Sequence, residues 1–298
     1  MSRPGARMRT IGGSAWHRYG PGLLMIGPLL LFLLVFYVVP FGNMVAESFS
    51  YSSGDTGART GLTFHQYVKT FESGRVSRVL MRTFRISLIT VAVTLVLSYP
   101  IALLLLRSGR VLRTGILLVT FVSLASSLIV RNYGWVVVLA DGGPLNGLLI
   151  GLGIVDAPLR MMPSEGAIVV GLVHFSMPFM ILPIYGALLR VPQSLREASL
   201  SLGAGEWRSF FRIVFPLTMP GIFGGTMLTF AASMSAFVTP LMLGSPSTAM
   251  ISQLAAEQLL VQLNFAWGSA IIVVLTVLTF LLVTVYAVAL KRMFRVDV

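Results

Sequence analysis

The chain has 298 residues, 56% hydrophobic and 11% charged, with a mean hydropathy of +0.87, whereas a soluble domain carries about 25% charged residues. That composition excludes an ordinary soluble fold and points to a membrane protein. The net charge of +12 does not indicate nucleic acid, because the basic residues lie between long apolar runs and not on one compact surface; the absence of cysteine excludes disulfides, thiolate metal sites and a cysteine nucleophile.

A hydrocarbon core about 30 Å thick needs about 20 apolar residues per helix, and six runs meet that length. The predicted helices cover residues 23–40, 86–106, 114–139, 167–189, 217–243 and 267–290. The basic flank before the first run resembles that of a signal peptide. The run is long, however, and no small-x-small cleavage site follows it closely, so a retained helix is expected. This gives three regions: 1–76 with the tail, first helix and outer loop; 77–290 with five helices; and a tail at 291–298.

Lysine and arginine bias sets the expected orientation. With both termini cytoplasmic, that side holds Arg3, Arg7, Arg9, Arg18, Arg107, Arg110, Arg113, Arg190, Arg196, Arg208, Arg212, Lys291, Arg292 and Arg295, fourteen of the 22 basic residues. The stretch 244–266 has none and 140–166 has only Arg160, as an outer face requires. Residues 59–85 oppose the rule with Arg59, Lys69, Arg75, Arg78, Arg82 and Arg85, and "RVSRVLMRTFR" is expected to open an interfacial helix whose arginines reach the headgroups.

Between the fourth and fifth helices lies a polar interruption, "EASLSLGAGEWRSFFRIVFP", on the expected cytoplasmic side. It reads as helix, turn, helix. Pro192 starts a first turn, Leu195, Ala198 and Leu202 share one face, and Gly203 supplies a left-handed end. A second helix, 206–214, groups Phe210, Phe211 and Val214 before Pro216 stops it. On this evidence alone the segment is either an amphipathic loop on the lipid surface or a docking element.

Glu197, Ala198, Leu202, Gly203, Ala204, Phe211, Ile213, Pro216 and Leu217 reproduce the spacing of the EAA loop, and the segment 192–216 resembles that of ABC importer permeases, with Ser199 where the second alanine usually stands. The layout from about Ser87 onward is similar to the type I importer core, with one extra helix before it. The stretches "SLIVRNYGWVVVLADGGPLNGLL", "GIVDAPLRMM", "MPFMILPIYGALLRVPQSLREAS", "FPLTMPGI" and "FVTPLMLGS" resemble the spermidine/putrescine branch. The resemblance implies an all-α membrane permease with six transmembrane helices in a bacterial inner membrane. In such a subunit a coupling helix inserts into a groove on the ATP-binding subunit. Glu197 would make polar contacts there, Gly203 would permit the turn, and Phe210 and Phe211 would anchor the segment. It further implies a pair of ATPase subunits carrying ATP and Mg, a second permease, and a solute-binding protein, with no cofactor on this chain. A polyamine is the first expectation for the cargo; an amino acid derivative, a carboxylate or a phosphonate would fit the charges equally.

The residues themselves agree that the engine lies elsewhere. A GxxxxGK[ST] phosphate loop needs a lysine after glycine, and the two lysines stand in "YVKTF" and "ALKRM". Neither HExxH nor GxSxG occurs. His174 is either a base for one of Ser123, Ser126, Ser127, Ser233 and Ser235 in an intramembrane hydrolase, or a group bonded across helices. A channel or secondary transporter would leave the 192–216 loop without a purpose. Candidates for the solute path are Arg131, Tyr133 and Trp135 near the outer end of the third helix, and Phe237 and Thr239 beside Pro240 in the fifth. Arg131 is equally an interfacial anchor. Asp141, Asp156 and Glu165 fall in an outer loop, either simply solvated or helping to receive a cation. Gly221 and Gly225 are spaced for close helix contact, either with a second permease or inside this chain.

Overall fold

The computed structural model describes residues 26–52 and 59–294. The expected first-helix start at Leu23, the arginines of the N-terminal tail and Arg295 lie outside the described residues.

Among the described residues the regular structure is helical, as expected, apart from one antiparallel pair of short strands, β1 (Ser50–Ser52) and β2 (Arg59–Leu62). The helices are α1 (Ile26–Ser48), α2 (His65–Glu72), α3 (Gly74–Arg107), α4 (Arg110–Ala125), α5 (Leu128–Leu139), α6 (Pro144–Gly151) and α7 (Glu165–Leu188). They continue as α8 (Gln193–Ser201), α9 (Glu206–Leu217), α10 (Met219–Met234), α11 (Val238–Leu243), α12 (Ile251–Ala256) and α13 (Phe265–Phe294).

At the centre stand α3, α7 and α10. Helix α7 is apolar on every side, as a helix surrounded by others must be. Three buried clusters run along the bundle. Ala102, Met180, Ile184, Leu188, Val214 and Ile222 pack beside the 192–216 loop. Ile86, Leu139, Ile168, Leu172 and Leu243 pack near the start of α7. Val79, Met234, Leu254 and Ile271 join α3, α10, α12 and α13. Small residues set the spacing: Thr83, Ser87, Thr90, Thr94 and Ser98 form a fully buried stripe on α3, and short side chains let helix backbones approach closely. Helices α1, α4 and α13 turn large apolar side chains outward, as a lipid-facing surface does.

Gly221 and Gly225 settle their two readings. A Cβ on Gly221 would lie 2.4 Å from the Pro183 carbonyl oxygen, and one on Gly225 would lie 2.7 Å from Met180 Sδ. Both glycines are packed against α7 within this chain.

Several predicted boundaries are corrected. Pro40 does not end the first helix and Pro216 does not end the second leg of the loop; each is preceded by a π turn, Leu34–Val38 and Phe210–Val214 respectively. A proline lacks the N–H for the i−4 carbonyl and crowds it, and the wider turn relieves that crowding. The predicted third helix is two, α4 and α5, parted at Ser126 and Ser127, where the freed Ser126 carbonyl accepts from Arg131 Nη2 at 3.2 Å. The predicted fifth helix begins after a 61° bend between α9 and α10. It breaks again at 235–237, ahead of Pro240. Pro240 cannot serve the Ala236 carbonyl, and the Ser252 hydroxyl donates to it instead.

The basic stretch that opposes the charge rule is the opening of α3, not a separate interfacial helix. At 34 residues, α3 is roughly 50 Å long, well beyond a bilayer core. Three of its arginines have partners distant in sequence. Arg75 pairs with Glu257 at 2.7 Å, Arg82 with Glu165 at 3.2 Å, and Arg85 also with Glu165. On α2, Lys69 lies 4.1 Å over the Trp267 ring. Glu165 is therefore an ion-pair partner at the start of α7 and not a free loop carboxylate, while Asp141 and Asp156 are exposed.

Candidate coupling surface and solute path

The loop 192–216 is built as two legs around a fixed turn. Helix α8 ends in a full Schellman arrangement: Gly203 takes φ +84°, its N–H donates to Leu200 O at 3.0 Å, and the Ala204 N–H donates to Ser199 O at 3.1 Å. Glycine is required there because a Cβ destabilises the left-handed region. A second tie closes the legs, since Arg196 Nη2 donates to both Glu206 carboxylate oxygens at 2.8 and 2.7 Å. Outside the membrane-spanning helices, this hydrogen bond and the charges of Arg196 and Arg107 hold the Glu206 carboxyl below its usual range.

The residues expected to couple lie on that frame. Glu197 and Ala198 are exposed, with Glu197 Oε1 accepting from Gln193 Nε2 at 2.8 Å. Ser199 and Ala204 are half-buried, and Leu202 is 88% exposed. The two phenylalanines divide. Phe210 turns inward, edge-on to Tyr99 with ring centroids 5.9 Å apart. Phe211 is 57% exposed and stacks on the exposed Trp207. Sequence spacing did not separate them, because the π turn rotates residues 210–214 away from the α-helical register.

Below the loop is a joint that sequence reasoning missed. Thr218, fully buried, sits at the bend between α9 and α10; its hydroxyl donates to Phe215 O at 2.8 Å and lies 3.0 Å from Tyr99 OH. The loop is thereby tied to α3 as well as to α10. A tyrosine and a threonine separated by 119 residues leave no pattern in the sequence.

The five candidate solute-path residues do not converge. Arg131 donates to Ser123 Oγ and to Ser126 O, both at 3.2 Å, and its guanidinium lies 5.6 Å from the Phe175 ring centroid. It thus serves the backbone break between α4 and α5. Tyr133 is exposed. Trp135 Nε1 donates to His174 Nδ1 at 3.0 Å, joining α5 to α7. Thr239 is buried and accepts from Asn132 Nδ2 at 3.2 Å, so it faces α5 and not open space. Phe237 lies on a large opening. It lines a cavity of about 670 Å³ with Ser235, Ser252, Tyr37, Thr276 and Thr279, beside the break that ends α10.

His174 accepts from Trp135, so its proton sits on Nε2, and among the described residues no serine hydroxyl is hydrogen-bonded to it. That bond across helices is the second of the two roles open to it in the sequence. No cluster of three histidine, aspartate or glutamate residues exists among the described residues.

Comparison with known proteins agrees with this architecture. The family described as "Binding-protein-dependent transport system inner membrane component" matches residues 23–295. A spermidine/putrescine transport system permease protein PotB of Haemophilus influenzae is 31% identical over 91% of this chain and 95% of its own length. The protein of the same name from Escherichia coli is 29% identical over 88% of this chain and 95% of its own. Among solved structures, a bacterial ABC transporter involved in the import of the acidic polysaccharide alginate superposes with a TM-score of 0.78, covering 94% of this chain and 98% of that one. At 16% identity that likeness speaks for the fold alone. With five candidate spans among the described residues, or six if the bent pair α9–α10 is one, a polar loop with a fixed turn after α7, and a family match along nearly its whole length, the chain belongs to the inner membrane components of binding-protein-dependent transport systems.

Proposed function

We propose that this chain is the permease subunit of an ABC importer for polyamines such as spermidine and putrescine. The observation that carries the reading is the end-to-end similarity to spermidine/putrescine permeases, with the 192–216 loop intact in sequence and closed by the Gly203 turn. In this reading the loop and both termini face the cytoplasm, and a binding protein delivers the solute to the opposite face. Two ATPase subunits, which hold ATP and Mg, grip the loop of this chain and that of a second permease.

ATP binding draws the two loops together and opens the path outward; hydrolysis resets it inward. The rigid turn and the Tyr99–Thr218 joint favour transmission, because a displaced α9 must carry α10 and the adjoining part of α3 with it. The cavity beside Phe237, walled by α1, α10, α12 and α13, is the candidate solute path, while Arg131, Trp135 and Thr239 join α5 to α4, α7 and α11 away from it. The test is uptake of labelled spermidine into proteoliposomes holding the chain with its ATPase, second permease and binding protein. ATP-dependent uptake competed by putrescine supports the reading; a binding protein that ignores polyamines and delivers another solute refutes the cargo.

A further inference from the structure

We propose that the groove between the two legs of the 192–216 loop receives an acidic segment of the ATPase subunit, with Arg208 and Arg212 pairing with its carboxylates. This rests on reading the segment as the coupling loop and adds the chemistry of the partner that the loop accepts.

The groove has a volume of about 540 Å³. Leu195, Ala198 and Leu202 line it from α8 and Ile213 from α9, with Arg208 and Arg212 on the α9 side. The charges of the loop have been sorted by its own hydrogen bonds. Residues 192–216 contain three arginines and two glutamates. Arg196 and Glu206 neutralise each other across the turn, and Glu197 is held by Gln193. Arg208 and Arg212 are exposed, with no carboxylate within salt-bridge distance among the described residues. The groove therefore offers an apolar floor and two cations four residues apart, on neighbouring turns of one helix.

A guanidinium binds carboxylate through paired donors. The complement is a segment with two carboxylates about one helical turn apart flanking an apolar side chain. A membrane surface fits less well. Anionic headgroups would attract the two arginines but repel Glu197, which is exposed on the adjoining leg, whereas a folded protein can answer both signs on one surface.

The test measures binding of the purified ATPase subunit to the permease pair in nanodiscs of zwitterionic lipid, at low and high ionic strength. In Arg208→Glu/Arg212→Glu, affinity should fall roughly tenfold or more and lose most of its salt dependence. Arg208→Lys/Arg212→Lys should retain most of the binding, and reversing the opposing carboxylates on the ATPase should restore it to the glutamate variant. Unchanged affinity and salt dependence in the glutamate variant, with Glu197→Arg still abolishing binding, would overturn this inference and leave the coupling reading standing. An effect of the arginines seen only when anionic lipid is present would assign them to the membrane and also overturn it. An unmodified permease pair that binds no ATPase would refute the coupling reading itself.

Discussion

Gly221 and Gly224 lie three residues apart on α10 and differ in one respect that the structure measures. An added Cβ at Gly221 would come within 2.4 Å of the Pro183 carbonyl oxygen and 2.6 Å of Ala187 Cβ, whereas at Gly224 its nearest neighbour would be Pro183 Cβ at 3.9 Å. Alanine in place of a helical glycine is intrinsically favourable by about 0.5–1 kcal/mol. Overpacking a close contact costs typically about 1–3 kcal/mol, and the Pro183 carbonyl belongs to a helix backbone that cannot rotate away. Gly224→Ala should therefore be neutral or slightly stabilising, and Gly221→Ala destabilising by about 1 kcal/mol net, the clash outweighing the propensity gain. Both variants would be purified as the single chain in detergent and their surviving monodisperse fractions compared over a heating series. A Gly221→Ala chain as stable as Gly224→Ala would refute the close packing of α7 on α10. A defect confined to the assembled complex would return Gly221 to the interface with a second permease.

Four further outcomes are expected. Glu197→Arg should insert and fold normally yet abolish solute-stimulated ATPase activity in the reconstituted complex; undiminished stimulation would remove Glu197 from the coupling contact. Gly203→Ala forces a Cβ into φ +84°, costing about 1–2 kcal/mol locally, and should weaken ATPase co-purification while leaving membrane insertion unchanged, as read by immunoblot of membrane fractions. Trp135→Phe removes the donor to His174 and should lower thermal stability by about 0.6 kcal/mol, the average for such bonds in membrane proteins. His174→Ala should leave transport intact, and its loss together with a hydrolytic activity would reinstate the enzyme reading.

The sequence was most legible where one physical requirement acts along the chain. Spanning a bilayer demands runs of apolar residues, and the helices at 167–189 and 267–290 emerged within a few residues of α7 and the start of α13. The 192–216 loop was legible for the same reason, since Pro192 and Gly203 act on their own backbone. Illegible features depend on partners far apart. The arginines of α3 contradicted the charge rule until Glu165 and Glu257, 80 and 182 residues away, were found beside them. The breaks at Ser126 and at 235–237 follow from which side chains could satisfy freed carbonyls, and Arg131 and Ser252 took that role. Arg131, Tyr133, Trp135, Phe237 and Thr239 were grouped by polarity and local proximity, which do not say which face of a broken helix a residue occupies. Thr239 turned inward and Phe237 outward, two residues apart.

The most direct measurement of the central claim is a pull-down in mild detergent of the chain, tagged at its C-terminus and expressed with its chromosomal neighbours, with the co-purifying proteins identified by mass spectrometry. A cassette ATPase and a second permease should be recovered with the unmodified chain, and the ATPase should be lost from the Glu197→Arg chain. A chain that purifies alone yet moves spermidine in liposomes without ATP would contradict the account.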